Sequence, residues 1–223
     1  MAWLIMEAKR SVRPTEKAYE YIKEKIHDGT FRPAQHLTEV QLSEEIGVSR
    51  NTIKKVLLLL AEEKLVVIEN NKGASVMSLS VDEIVQYYEI RVKLEEIAVA
   101  SAAVCITDSQ IAMLREVLDK MIVFKDQKNF TEYSKHNILF HNIIYDASEK
   151  KIAVNMIREI KTQLSRYQLR TIMVPGRSEN SVVEHQKLLD ALAAHDTEAA
   201  VEAIRIHVGH VLETIYEFKS LFN

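Results

Sequence analysis

The chain has 223 residues, enough for one large or two ordinary domains, and its 47% hydrophobic and 27% charged residues are typical of a globular protein. A net charge of −3 argues against a generally basic surface for nucleic acid, and a single cysteine excludes an internal disulfide framework and fits a reducing cytoplasm. No stretch reaches the roughly 18 apolar residues of a membrane span, so we expect a cytoplasmic protein with no membrane partner.

With only 5 glycines and 3 prolines, the chain has few helix breakers, and long helices are expected. Residues 1–13 are interpreted as a flexible N-terminal arm. Apolar residues then recur at helical spacing over residues 15–27. Residues 31–37 are predicted to form a loop, and Thr38 with Gln41 to form a capping box that opens a second helix.

A tight turn and a hairpin follow this second helix. Gly47 supplies the positive φ of the turn, and Ser49 is suited to cap a third helix. Residues 66–68 and 75–77 are predicted to form short strands, joined by a wing tip at residues 70–73. This order of elements predicts a winged helix-turn-helix, a fold that lays its third helix in the major groove of DNA.

The outward face of the third helix is the predicted DNA-reading surface. Arg50 and Asn51 stand at its N-terminus, and these residue types bind guanine and adenine in bidentate fashion. Lys54 and Lys55 are better suited to phosphate. Each of these residues taken singly also fits a solvated helix face, and the turn and hairpin favour DNA. The predicted DNA-binding set is Ser49, Arg50, Asn51, Thr52, Lys54, Lys55 and, at the wing, Lys72 and Gly73.

The remainder of the chain is predicted to be an antiparallel all-helical bundle of about six helices. Capping boxes are expected at Ser80 with Glu83 and at Thr107 with Gln110. The predicted helices lie near residues 81–105, 108–126, 129–147, 149–172, 178–195 and 197–221. The predicted domains are a DNA-binding domain of residues 14–78 and a helical domain of residues 79–223, joined without a flexible linker.

Histidines of the helical region are spaced like metal ligands. Asn137 and His141 lie four residues apart on one helical face, and His185 and His207 fall on two later helices. Inward-facing nitrogen and oxygen atoms from three helices make a plausible site for Zn, Ni, Mn or Fe. By spacing alone, hydrogen-bonded structural histidines fit the same pattern.

Residues 15–78 resemble the N-terminal domain of the GntR family of bacterial transcription regulators. The shared positions are Leu42, Gly47, Val48, Ser49, Arg50 and Leu57, whereas Lys54 stands where the family often has Arg. Residues 80–221 resemble the FadR C-terminal type of sensor domain found in one GntR subfamily. The shared markers are Tyr88, Glu89, Arg91, Leu94, Glu95, Phe140, His141, Ala147, Ser148, Glu184, His185 and His207.

The sensor resemblance implies a metal held by three histidines together with Asn137, which replaces the Asp of metal-binding members. It also implies an organic-acid effector, with Arg91 as a partner for the effector carboxylate or for a buried acid. Arg166 and Arg170, one turn apart, are further candidates for the mouth of the pocket, although a solvated face explains both. His136 and His210 compete with the metal set and fit surface or interface positions.

The sequence as a whole is therefore interpreted as a ligand-responsive transcription regulator rather than an enzyme. We expect a homodimeric repressor that binds a palindromic double-stranded operator and a small carboxylate effector coordinated through a divalent metal. One alternative is a regulator whose metal-free pocket binds the ligand directly. A metal-dependent hydrolase is the rival from another class, but it leaves the N-terminal domain unexplained.

Overall fold

The computed structural model describes residues 13–69 and 73–221, apart from the side chains of Arg166 and Leu221. The chain divides into two compact units, Met1–Ser78 and Leu79–Asn223. The predicted N-terminal arm lies outside the described residues except for Arg13, which precedes the first helix. None of the helices in the described part of the chain has the length and hydropathy needed to cross a bilayer.

The first unit combines three helices with a small sheet. Its elements are α1 (Pro14–His27), β1 (His36–Leu37), α2 (Glu39–Ile46), α3 (Arg50–Glu62), β2 (Val66–Glu69) and β3 (Gly73–Val76). The strand order is β1-β3-β2, and both pairings are antiparallel. One apolar core joins the helices and the sheet through residues such as Ile22, Leu42, Ile53, Leu60 and Val76. The predicted winged helix-turn-helix is confirmed.

Strand β1 is absent from the sequence-based prediction, which treated residues 31–37 as a loop. His36 and Leu37 pair with Ser75 and Ala74, so the sheet has three strands rather than two. Gly73 begins β3 at φ 84°, in the left-handed region that favours glycine. Two residues are too short a stretch for alternating hydrophobicity to reveal, because their strand character comes only from the pairing.

The helix caps agree with the sequence except in one case. Both halves of the predicted capping boxes are present at Ser80 with Glu83 and at Thr107 with Gln110. At α2 the Thr38 side chain accepts a hydrogen bond from the Gln41 backbone N–H. The Gln41 side chain, however, accepts from the Thr38 hydroxyl instead of reaching the Thr38 backbone, so that predicted capping box is only half formed.

The second unit is a bundle of six helices, as predicted. They are α4 (Val81–Cys105), α5 (Asp108–Asp126), α6 (Phe130–Ala147), α7 (Lys151–Ile172), α8 (Arg177–Ala193) and α9 (Thr197–Glu217), followed by a 3-10 turn at Lys219–Leu221. α4 lies at the centre and packs against α9, α7, α6 and α8. α8 ends two residues earlier than predicted because His195, at φ 52°, leaves the helical conformation.

Candidate metal centre and nucleic-acid interface

The N-terminus of α3 is built to project polar side chains outward. Gly47 ends α2 at φ 74°, and the Ser49 side chain accepts a hydrogen bond from the Thr52 backbone N–H at 3.1 Å. The remaining backbone N–H groups of the first turn of α3 have no partner within the helix, and the helix dipole places partial positive charge at this end. Arg50 and Asn51 are exposed on this turn. They stand where a helix end meets bases or phosphates.

The remaining predicted DNA-contacting residues that the structure describes are exposed, apart from the half-buried Thr52. Lys54 and Lys55 are exposed on the second turn of α3. Their helix is anchored by a buried apolar stripe of Ile53, Val56, Leu57 and Leu60. Gly73 begins β3 opposite Glu69. Lys72 at the wing tip lies outside the described residues.

Three buried histidines converge inside the second unit. His141 comes from α6, His185 from α8 and His207 from α9, and one ring nitrogen of each lies within 4.8 Å of the other two. The Nε2 atoms of His141 and His185 are 3.3 Å apart. The structure therefore brings together the three histidines singled out in the sequence, although they lie 22 to 66 residues apart along the chain.

Neighbouring acceptors orient two of the three imidazole rings. The Nδ1–H of His185 donates to the Ser181 carbonyl at 2.6 Å. The Nδ1–H of His207 donates to the Glu184 carboxylate at 2.7 Å. In each ring the Nε2 atom is then left with its lone pair, the state in which a histidine binds a metal.

Burial keeps these rings neutral. It lowers the pKa of His141 and of His185 well below the usual histidine value, and positive charge on Lys161 adds to the effect at His141. Burial also lowers the pKa of His207, although the Glu184 carboxylate opposes that shift. Neutral imidazole is the form that coordinates a cation, so the cluster needs no deprotonation near neutral pH.

Asn137 supplies the fourth candidate ligand. It lies one turn before His141 on α6 and lines the same cavity. Its Oδ1 atom is buried and has no hydrogen-bond partner among the described residues. A buried amide oxygen without a partner is costly unless something else binds it, and a cation is one such partner.

The donor set fits a divalent metal. Two nitrogens that each lie about 2.0–2.1 Å from a tetrahedral zinc ion are about 3.3 Å apart, which matches the separation of the His141 and His185 Nε2 atoms. Three imidazole nitrogens and one amide oxygen suit Zn, Ni or Fe better than Ca or Mg. The absence of a charged ligand reduces the affinity for hard cations relative to a site with Asp at position 137.

Glu184, singled out in the sequence only as a marker of the sensor resemblance, links the histidine cluster to an arginine. Its carboxylate accepts hydrogen bonds from His207 and His210 at 2.7 Å each. Arg177 binds the same carboxylate in bidentate fashion at 2.8 and 3.2 Å. Burial acts to raise the pKa of Glu184, but these three partners outweigh it and lower the pKa to about 2.

A cavity opens beside the cluster. Its empty space, counted together with the solvent at its open mouth, is about 580 Å³. The lining side chains include Arg91, Asn137, His141, Lys161, Gln168, Arg177 and His207. The residues that line the cavity do not include Arg170, and the Arg166 side chain lies outside the described residues.

Arg91 is held in the cavity wall by a buried network. Its Nε–H donates to Glu95 at 3.0 Å, and the Tyr145 hydroxyl donates to the same carboxylate oxygen at 2.6 Å. The Arg91 guanidinium also lies over the Tyr88 ring, 5.5 Å from the centroid. These contacts immobilise the guanidinium before any ligand arrives, which lowers the entropy cost of binding an anion.

The competing histidines lie apart from the cluster. His136 bonds the Glu132 carbonyl at 2.9 Å, and its ring lies 4.9 Å from that of Phe124. His210 is about half exposed and reaches the cluster only through Glu184. His136 therefore has no part in the geometry of the site, and His210 acts on it from outside.

The Glu184 contacts lead to a prediction. Glu184→Gln should weaken metal binding by about 10- to 100-fold, because His207 loses the charged acceptor that fixes its tautomer. Glu179→Gln, the same change on the exposed side of α8, should leave the affinity within about twofold. Titration against a chromophoric chelator measures both. Equal affinities for the two variants would show that Glu184 does not orient the ligand.

Comparisons with known proteins agree with this architecture. Residues 14–76 match the family of bacterial regulatory proteins named gntR, and residues 86–210 match the FCD domain. The uncharacterized HTH-type transcriptional regulator YdhC of Bacillus subtilis is 25% identical over 87% of this chain and 88% of its own length. The HTH-type transcriptional repressor RspR of Escherichia coli is 22% identical over 96% of both chains.

The fold has a solved counterpart in Escherichia coli McbR/YncC. That structure aligns with a TM-score of 0.80 and 22% sequence identity over 93% of this chain and 99% of the other. The matched families are regulators, which confirms the expectation of a regulator rather than an enzyme. Together the gntR and FCD matches leave only residues 1–13, 77–85 and 211–223 unmatched. The chain therefore belongs to the gntR family of bacterial regulatory proteins and carries an FCD domain after its winged helix-turn-helix.

Proposed function

We propose that the protein is a homodimeric transcription repressor of the cytoplasm whose operator binding responds to a small organic acid. The acid binds in the cavity of the second unit and coordinates a divalent metal held by His141, His185, His207 and Asn137. The observation that carries this proposal is that two of the three clustered histidines line a cavity together with two arginines. The name of RspR, a repressor, supports the direction of regulation.

The cavity chemistry supports an anionic ligand. When bound, the metal would supply a Lewis-acidic centre with positions open to a carboxylate. Arg91 and Arg177 present guanidinium groups to the same cavity, each held by a buried carboxylate from this chain. Fixed cations in a site sheltered from water favour a carboxylate over a neutral molecule of equal size.

An exposed apolar stripe supports dimerisation through the second unit. Ile90, Ile97 and Val104 recur every seven residues along α4 and are 53%, 47% and 69% exposed. A seven-residue spacing keeps such side chains on one helix face, and association with a second copy would bury them. Two recognition helices related by the dimer axis would read a palindromic operator.

Ligand binding is coupled to DNA binding in this proposal through a difference in affinity between two conformations. Arg91, in the cavity wall, belongs to α4, which follows the last strand of the DNA-binding unit by only four intervening residues, 77–80. A ligand that favours one position of α4 would shift the population of dimers able to bind both half-sites.

The test begins with DNA selected by the purified protein from a random pool. We expect a protected palindrome, a mass twice the 25.6 kDa of one chain in sedimentation, and about one metal ion per chain after purification without a metal-affinity tag. Adding 2-hydroxy acids to the metal-loaded protein should change operator affinity about 5- to 150-fold, the usual range of allosteric coupling.

Different failures have different meanings. Ligand response without any metal would favour the direct-binding alternative, in which the histidines contact the acid themselves. Failure to select or protect any DNA at low salt, with and without metal and ligand, would overturn the proposed function. A monomer that protects one half-site would overturn the dimeric part alone.

A further inference from the structure

Lys161 of α7 is a buried amine without a hydrogen-bond partner. Its Nζ atom is shielded from solvent, lies 5.0 Å from the centroid of the Tyr145 ring and has no acceptor among the described residues. The side chain lines the same cavity as Asn137 and His141. A buried ammonium is normally paired because leaving water without a partner costs several kcal/mol.

The charges around Lys161 do not balance. Arg91 and Lys161 contribute two cations to this end of the cavity, and Glu95 contributes one carboxylate. Glu95 is already engaged, because its Oε1 atom accepts from both Arg91 and Tyr145. Even if its free Oε2 atom turned toward Lys161, one positive charge would lack a partner among these three groups.

The excess positive charge around Lys161 also affects the pKa of its amine. Burial lowers the pKa of Lys161 to about 7, and the positive charge of Arg91 acts in the same direction, while Glu95 opposes it. An anion placed beside Nζ would restore the ammonium and form a charge-assisted hydrogen bond with it.

We infer that the effector carries two acidic groups, one directed to the histidine cluster and the other bound by Lys161 together with Arg91. This inference rests on the proposed function and narrows its ligand to a short dianion. A short ligand suffices because Lys161 lines the same cavity as the candidate metal ligands Asn137 and His141. Among the residues named for the site, Lys161 is the determinant that distinguishes a diacid from a monoacid.

The test uses pairs of acids that differ only at the distal group. Malate is compared with 2-hydroxybutyrate, and 2-hydroxyglutarate with 2-hydroxyvalerate, so each pair shares its chain length and its hydroxy-acid head. Calorimetry on the metal-loaded full chain at pH 7 should give at least one diacid bound about 10- to 100-fold more tightly than its monoacid partner.

The decisive variant is Lys161→Met, which keeps the length of the side chain and removes its charge. It should reduce diacid affinity about 10- to 100-fold and change monoacid affinity less than about twofold. Lys161→Gln should behave in the same way and gives a second folded protein if methionine disturbs packing. Lys120→Met removes an exposed lysine on α5 and should leave both affinities unchanged.

The outcomes separate this inference from the proposed function. Equal binding of diacid and monoacid, or an equal loss of both in Lys161→Met, would reject the second acidic group while leaving a monoacid sensor intact. If the metal-loaded protein binds neither acid of either pair, both the inference and the proposed small-acid effector are rejected.

Discussion

Protein carrying His141→Ala should be purified with almost no metal, whereas the unaltered chain should hold about one ion per chain. The variant removes one of three imidazoles that point into a single buried site, so metal affinity should fall by more than about 100-fold, beyond the effect of residues that only orient a ligand. Metal added to the unaltered protein at 1,000 times its dissociation constant should stabilise it by about 4 kcal/mol, and that gain should vanish in the variant.

His136→Ala is the matched control on the same helix. His136 contacts Phe124 and the Glu132 carbonyl rather than the cluster, so its loss should leave metal content unchanged. Elemental analysis and thermal melts with and without metal measure both variants. Equal metal content in His141→Ala and the unaltered chain would refute the proposal that these histidines bind a metal.

Asn137→Asp is the complementary gain-of-affinity variant. A carboxylate at this position would add a charged oxygen ligand and should tighten metal binding. If it does not, the Asn137 oxygen does not reach the metal.

Arg50→Ala should lower operator affinity by about 1–3 kcal/mol and abolish discrimination at the base pair that Arg50 contacts. The exposed Arg50 stands on the capped first turn of α3, where a bidentate contact to guanine is geometrically accessible. Titration of the selected operator and its single-base variants by fluorescence anisotropy measures the loss.

Lys55→Ala provides the contrast, because a phosphate contact is independent of sequence. It should weaken binding to all sequences about equally and reduce the slope of log affinity against log salt by about 1. Lys120→Ala is the control. It removes the same charge from α5, outside the DNA-binding unit, and should leave operator affinity unchanged. If Arg50→Ala retains full discrimination between base pairs, bases are read by other residues.

Local signals account for most of what the sequence predicts correctly. The boxes at Ser80 and Thr107 are recognisable because a cap and its partner lie three residues apart, so neighbours alone decide where the helix begins. The turn at Gly47 is predictable for the same reason, because it depends on the φ angle of one residue. The four-residue spacing of Asn137 and His141 likewise specifies one helical face without reference to the rest of the fold.

The capping box predicted at Thr38 shows where local sequence patterns fail to predict the structure. Thr and Gln occur at the required spacing, but the Gln41 side chain accepts from the Thr38 hydroxyl rather than from its backbone N–H. The short strand at His36 is a related case, because its hydrogen bonds come from β3, nearly 40 residues later. Composition within a few residues cannot distinguish these outcomes, since the competing conformations differ little in local free energy.

The residue pattern alone specifies the helix-turn-helix motif, the helices of the bundle and the pairing of Asn137 with His141, because each depends on spacing along one helix or turn. Which charged groups join the histidines depends on how the helices pack. Glu184 reaches His207 and Arg177 because α7, α8 and α9 pack around α4. The same packing brings Lys161 into the cavity with no hydrogen-bond acceptor among the described residues. Side chains from separate helices meet only when their apolar faces are buried together, and no pattern within one helix records which neighbour it will meet.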